Sequence, residues 1–271
     1  MAFINTLSPA IVQPASYVAP VLTNGCDISS WQNDPNTTAG IDFKKMYKEG
    51  MRFVYIRCTL GDTNDREFFA NWQGAKDAGL LRGAYHMHQF NLGLSQCQRF
   101  ITRIVNDPGE LPPAFDLEKG GIGVAKASAV LNRMREAMAL IETDMVLWDR
   151  PFGTKMMLYT NPDIIQNFLG NNLPAWLLEH ELWIANYGVT SPSLGWQYKR
   201  WLIWQYSDRI NGIKYGVESK QLDGDVWNGD YNSLLKFCGL DVPEPPTPPV
   251  PSTLEERVAK LEQLAKDHGW L

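Results

Sequence analysis

The chain has 271 residues, 44% hydrophobic and 20% charged, a balance that excludes wholesale disorder. Twenty-five Lys plus Arg against 30 Asp plus Glu leave a formal charge of -5, so no basic field exists to attract nucleic acid or an anionic membrane surface. Apolar runs such as Phe53–Ile56 fall far short of the roughly 20 residues that cross a bilayer, and no membrane insertion is expected.

Residues 1–24 carry no charged side chain and are interrupted by Pro9, Pro14 and Pro20. They read as an irregular N-terminal arm, and without a basic opening region no signal peptide is recognised. From Gly25 onward short apolar runs alternate with amphipathic segments. Strands are predicted at Cys26–Ile28, Phe53–Arg57, Gly83–His88, Pro113–Glu118, Lys155–Tyr159, Leu182–Ala185, Leu202–Tyr206 and Lys220–Asp223. Helices are predicted at Asp42–Glu49, Asp65–Gly79, Gly93–Asn106, Ala125–Trp148 and Asn161–Leu169. In the last, Asn161 supplies an N-cap and Pro162 the first helical position. This alternation predicts a mostly parallel α/β sheet closed into a barrel over residues 25–240, with helices thinning out after Leu182.

Residues 241–252 form a proline-rich stretch, expected to be an extended linker. In 253–271, Thr253 and Glu256 have capping-box spacing, and Leu254, Val258, Leu261, Ala265 and His268 follow alternating steps of four and three. This amphipathic, coiled-coil-like helix either docks on the barrel or self-associates. A long stiff spacer disfavours docking, so a homo-oligomer through the helix is expected.

Asp116 and Glu118 lie two apart at the end of an apolar strand, so their side chains point the same way. In a parallel barrel that end carries the active site. Two carboxylates there repel and burial disfavours both charges, so one pKa rises and gives a proton donor beside an ionised partner, as glycoside hydrolysis requires; a solvated pair or half a metal site is the alternative that this spacing alone leaves open. Asp27 ends the first strand and Asp223 the last, which are neighbours in a closed barrel, so four carboxyls converge on one rim. Asp225 and Asp230, each beside a glycine, read as turn residues. Ten Trp and ten Tyr suit either a large core or a flat, half-polar surface for a ligand such as a sugar ring, and the counts alone favour the core. Cys26, Cys58, Cys97 and Cys238 show no CxxC pairing and read as buried thiols. His86 and His88 alternate on one strand with no third ligand in sequence, and His86 is expected to hydrogen-bond at the groove floor. No metal or cofactor is called for.

Between Gly25 and Leu240 the chain resembles the lysozymes of glycoside hydrolase family 25, the Chalaropsis-type N-acetylmuramidases that include phage endolysins. The landmarks are GCDISSWQ (25–32), FVYIRCTLG (53–61), AGLLRGAYHMH (78–88), PAFDLEKG (113–120), MLYTNP (157–162), LWIANYG (182–188), WLIWQYSD (201–208) and LDGDVWNGD (222–230). The resemblance implies a flattened TIM-like β/α barrel with fewer helices than strands. It implies hydrolysis of the β-1,4 bond between N-acetylmuramic acid and N-acetylglucosamine, with peptidoglycan glycan strands as the partner. Glu118 then takes the general-acid position and Asp116 that of its acidic partner, with Asp27 and Asp223 as the remaining rim carboxylates. Tyr85, Trp183, Tyr187, Trp204 and Tyr206 fall where the family lines its groove. Retention is favoured, with Asp116 orienting the substrate's acetamido group. Leu60 replaces an acid common in the family, and Asp225 stands where Asn is frequent. The alternative is a non-catalytic saccharide-binding or structural phage module on the same barrel, which would need the aromatics but not Glu118. A glycosidase acting on chitin is a third reading. The expected setting is a phage lysin made in the host cytoplasm and acting on the cell wall, or a virion-associated enzyme.

Overall fold

Short apolar runs, rich in β-branched and aromatic residues and buried on both faces, set the barrel strands: β1 (Thr23–Ile28), β2 (Phe53–Leu60), β4 (Leu81–Met87), β5 (Ala114–Asp116), β6 (Met157–Thr160), β7 (Glu181–Ala185), β8 (Ile203–Asn211) and β9 (Gln221–Trp227). The computed structural model describes residues 21–34, 36–37, 39–146, 153, 155–170, 172–195, 197–242 and 254–269. Parallel pairing runs from β1 through β2, β4, β5, β6 and β7 to β8. Strand β9 then runs antiparallel to both β8 and β1, which closes the barrel. The two-residue β3 (Thr63–Asn64) only extends the edge of β2.

Helices α1 (Phe43–Lys48), α2 (Phe68–Asp77), α3 (Ser95–Ile104) and α5 (Ala127–Met145) cover the first half, with the short α4 (Lys119–Ile122) following β5. After β6 the described helical cover shrinks to a π-helical turn (Ile164–Phe168), α6 (Ala175–Leu178) and, past the barrel, α7 (Tyr231–Phe237). The predicted helix 125–148 is α5, its Trp148 lying outside the described residues. Asn161 does cap the start of the helix predicted over Asn161–Leu169, its Oδ1 accepting from the Ile164 amide at 3.1 Å.

Strand alternation divides the interior into two cores. On β2, Val54, Ile56 and Cys58 face the helices, where they join Phe100, Ile104, Met134 and Ile141. Phe53 and Tyr55 instead fill the barrel, and two glycines make room for them. A Cβ at Gly25 would lie 2.3 Å from the Phe53 ring and one at Gly83 2.2 Å from Tyr55. Tyr55 also packs on Trp183 with ring centroids 4.6 Å apart. Near the start of β4, Arg82 is buried, pairs with Asp107 at 2.9 Å and Glu110 at 2.8 Å, and lies over Trp72. This clamp sits at the opposite end of the strands from Asp116.

Leu240–Leu271 is a second compact unit. Within it, α8 (Leu254–Asp267) presents Leu254, Val258, Leu261 and Leu264 as exposed side chains. Residues 1–20 of the expected arm, 243–252 of the linker and the Thr253 cap lie outside the described residues. None of the described helices is long and apolar enough to cross a membrane.

Candidate active site

A cleft of about 490 Å³ opens where the parallel strands end, the barrel face on which loops and strand termini assemble reactive groups. Asp27, Asp116, Glu118 and Asp223 all line it, as do Tyr85, Trp183 and Tyr187. Asp27 and Asp223 are direct partners in the β1–β9 register, which is how the chain's two ends bring their acids together. Trp204 and Tyr206 are not in the cleft, contrary to expectation. Both flank Gln205 on β8, and alternation that turns Gln205 inward turns them out. Trp204 packs against the helix-side core and donates its Nε1–H to the Asn186 carbonyl at 2.8 Å.

Gln205, which sequence reasoning passed over, organises the floor. Its Nε2 donates to Asp27 Oδ2 at 2.5 Å, and its Oε1 accepts from the hydroxyls of Tyr159 (2.9 Å) and Tyr187. A polar residue between two aromatics on a barrel strand was the available signal, because a buried amide must find partners. Asp225 is likewise no turn residue: it lies within β9, fully buried, and accepts from Trp183 Nε1 at 2.8 Å. Asp230 caps α7 through the Ser233 amide at 2.7 Å. At the cleft mouth the 3₁₀ turn Ser30–Gln32, closed by a Ser29–Gln32 capping box, holds Trp31 with 78% of its surface exposed. Arg57 brings a cation to the wall, anchored to Asp65 at 2.9 Å.

Burial dominates the electrostatics. It pushes the Asp116 carboxyl well above the usual carboxylate range, and repulsion from Glu118 and Asp27 adds to this while Arg57 opposes it. Glu118 is raised for the same reason, with the nearby Tyr159 hydroxyl offsetting part of the effect. Asp223 is pushed up to about 9 by burial first, then by Asp27, Asp208 and Glu118. The cluster therefore holds protons at neutral pH that separated carboxyls would release, and Asp116 and Glu118 titrate as a pair.

The expected placement of His86 is corrected. It faces the helix layer, packed on Phe100, with Nδ1 2.7 Å from Thr59 Oγ1 and Nε2 3.2 Å from His88 Nδ1. With Cys97 these histidines form the one cluster of metal-type donors among the described residues. Mutual engagement of the rings and the nearby Arg133 cation, which acts on His88 and Cys97, suit it to packing rather than to a second cation. All four cysteines are free, buried thiols. Leu60 ends β2 and is not part of the cleft lining.

A closed α/β barrel with clustered carboxyls and aromatics at its strand ends defines a glycosidase-type site. Residues 26–213 match the family model described as glycosyl hydrolases family 25, and the chain belongs to that family and is a glycoside hydrolase. It is 30% identical over 237 residues to the uncharacterized protein YegX of Escherichia coli K12, covering 84% of this chain and 76% of YegX. It is 30% identical over 233 residues to an N,O-diacetylmuramidase of Arthroderma benhamiae, covering 79% and 86% of the two chains. A lysozyme structure from Streptomyces coelicolor superposes with a TM-score of 0.64 at 24% identity, covering 80% of this chain and 96% of the other; it shows the shared fold.

Proposed function

We propose that the protein is a lysozyme that cleaves the β-1,4 bond between N-acetylmuramic acid and N-acetylglucosamine in peptidoglycan. The observation that carries this is the convergence of Asp27, Asp116, Glu118 and Asp223 on one cleft walled by Tyr85, Trp183 and Tyr187. Membership of the family and the muramidase relative support the substrate class.

In this reading Glu118 is the general acid. The donor must reach the glycosidic oxygen, and Glu118 is more open to solvent than Asp116, which is only 4% exposed. When a sugar covers Glu118 and removes water, its neutral form is favoured further, and the pair's proton is available to the outer member. Glu118 then gives that proton to the leaving oxygen as the C1–O bond breaks. Asp116, deeper and held by burial, orients the acetamido group whose oxygen attacks C1, and water completes hydrolysis with retention. Aromatic faces and the Gln205-centred hydrogen bonds hold the ring in place. Reducing-end analysis of digested, purified peptidoglycan tests the proposal: new ends should be N-acetylmuramic acid, with chitin left intact. New N-acetylglucosamine ends, or none, would overturn it. Proton NMR of the first-formed anomer tests retention separately.

A further inference from the structure

Among the described residues that line the cleft, Asp27, Asp116, Glu118, Asp208 and Asp223 are acids and Arg57 is the single cation. Arg57 lies on β2 and pairs in register with Tyr85 on β4. Asp116 ends the next strand, β5, and pairs with Met87 of β4. Only 13% of the Arg57 side chain is exposed.

The guanidinium is held from behind. Asp65 Oδ2 accepts from Arg57 Nε at 3.0 Å and from Nη2 at 2.9 Å. The same oxygen accepts from the Ser30 amide at 3.0 Å, and Asp65 Oδ1 accepts from the Glu67 amide at 3.0 Å. Backbone amides from two separate loops therefore fix Asp65, and Asp65 fixes one edge of the arginine fork. Nη2 also approaches Ser30 Oγ at 3.4 Å. That leaves Nη1, with its two N–H groups, for a ligand in the cleft.

We propose that Arg57 is a specificity-determining residue that separates N-acetylmuramic acid from N-acetylglucosamine, its Nη1 donating to the lactyl carboxylate that only the muramic sugar carries. The inference rests on the lysozyme reading and names the group through which that site selects its sugar.

Selection works in both directions. An arginine–carboxylate hydrogen bond is charge-assisted and roughly twice as strong as a neutral one. Anywhere else along this lining a substrate carboxylate would meet another acid. A chitin ring carries no acid, so seating it here would strip water from Arg57 and return no anion. The aromatic walls read ring faces that both sugars share. In strands that bear stem peptides the lactyl group is an amide, which keeps a carbonyl acceptor for Nη1 but loses the charge. Discrimination is therefore greatest on peptide-free strands.

The test is calorimetric titration of the full-length Glu118→Gln protein, which binds without turnover. Three tetrasaccharides are compared: peptide-free N-acetylglucosamine–N-acetylmuramic acid repeats, the same repeats with the lactyl carboxyls converted to primary amides, and chitotetraose. The carboxylate form should bind at least about tenfold more tightly than its amide. That gap should narrow as salt rises from about 0.05 to about 0.5 M. Equal affinity for carboxylate and amide overturns the proposal, and this arm leaves Arg57 and its support of Asp65 untouched. Adding Arg57→Gln should weaken binding of the carboxylate form alone and so close the gap, while Arg57→Lys, which keeps a charge, should retain part of it. An equal loss on all three ligands means a structural role and also overturns the proposal. A protein that generates N-acetylmuramic acid ends yet binds carboxylate and amide equally refutes the role of Arg57 alone. One that binds neither muramic form refutes the lysozyme reading with it.

Discussion

Replacing Glu118 with Gln separates its chemical role from its structural cost. Glutamine keeps the side chain's length but has no proton to give. Loss of proton transfer alone lowers the rate roughly 10²–10⁴-fold, which corresponds to about 2.7–5.5 kcal/mol of transition-state stabilisation. The same change should stabilise the fold. Burial raises the folded-state pKa of Glu118, so between its ordinary value and that raised value the folded protein binds more protons there than the unfolded chain does. Such a group contributes its full stability below the unfolded pKa, and that contribution is lost as pH rises through the folded value. A neutral glutamine removes the loss. It also removes the repulsion that Glu118 exerts on Asp116, which should then ionise more readily. A gain of about 1 kcal/mol in a domain of this size raises the melting temperature by about 2–4 °C. Turbidity clearance and calorimetry at pH about 7 on the same preparation measure both effects. A folded variant with near-wild-type lysis, or one that melts below wild type, would refute the reasoning.

Asp223→Asn should cut activity and flatten the decline in stability between the ordinary value of 3.8 and the folded value of about 9, where the folded state binds the extra proton; calorimetry across that range that shows an unchanged slope counts against the burial account. Arg82→Met should cost about 3 kcal/mol, the low end for a broken buried ion pair, because Asp107 and Glu110 reach solvent. Arg82 holds Asp107 down to about 2 against its own burial, so the variant should also lose the stability that wild type gives up only as pH falls from about 4 toward 2; urea titrations at pH about 7 and 3 check both. Ending the chain at Leu240 should leave hydrolysis of small muropeptides unchanged and weaken lysis of whole walls if α8 links catalytic units. Light scattering that finds both forms monomeric at micromolar concentration rules that oligomer out.

The barrel was legible because its signals are periodic. Short β-branched and aromatic runs separated by amphipathic stretches specify strands and helices whatever they finally touch, and Asn161–Pro162 fixes a local start through its own side chain, whereas Asp230, expected in a turn, caps a helix. The antiparallel return of β9 was harder to see. The sequence predicts the last strand only over Lys220–Asp223, whereas the observed β9 runs on to Trp227 as the antiparallel partner of a lengthened β8. Pairing sense is set by the connection 212–220, which holds a 3₁₀ turn at Gly212–Tyr215, and by closure onto β1, and neither leaves a local composition signal. The longer strand also explains Asp225, which lies inside it and not in the turn its neighbouring glycine suggested.

Within the site, the acids were easier to place than the groups that hold them. A carboxyl at a strand end in a barrel has one plausible destination, and Asp27, Asp116, Glu118 and Asp223 all reach the same cleft. Aromatic side chains have two destinations, because a barrel strand feeds both the lumen and the helix layer. Which one applies depends on parity, and parity is fixed by register with neighbouring strands rather than by the residue itself. Trp183 and Trp204 occupy adjacent strands and bond within one step of register, Ile184 pairing with Trp204, yet Trp183 fills the lumen and Trp204 faces out. The residue that settles the parity of β8 is Gln205. A buried amide there is tolerated only because Asp27, Tyr159 and Tyr187 meet its donor and acceptor. Gln205 and Asp225 pair directly across β8 and β9, so both point into the lumen beneath Asp27, where a polar side chain can persist only as part of a connected network. The unread part of the site is thus its support, formed by polar residues whose role exists only once the barrel has closed.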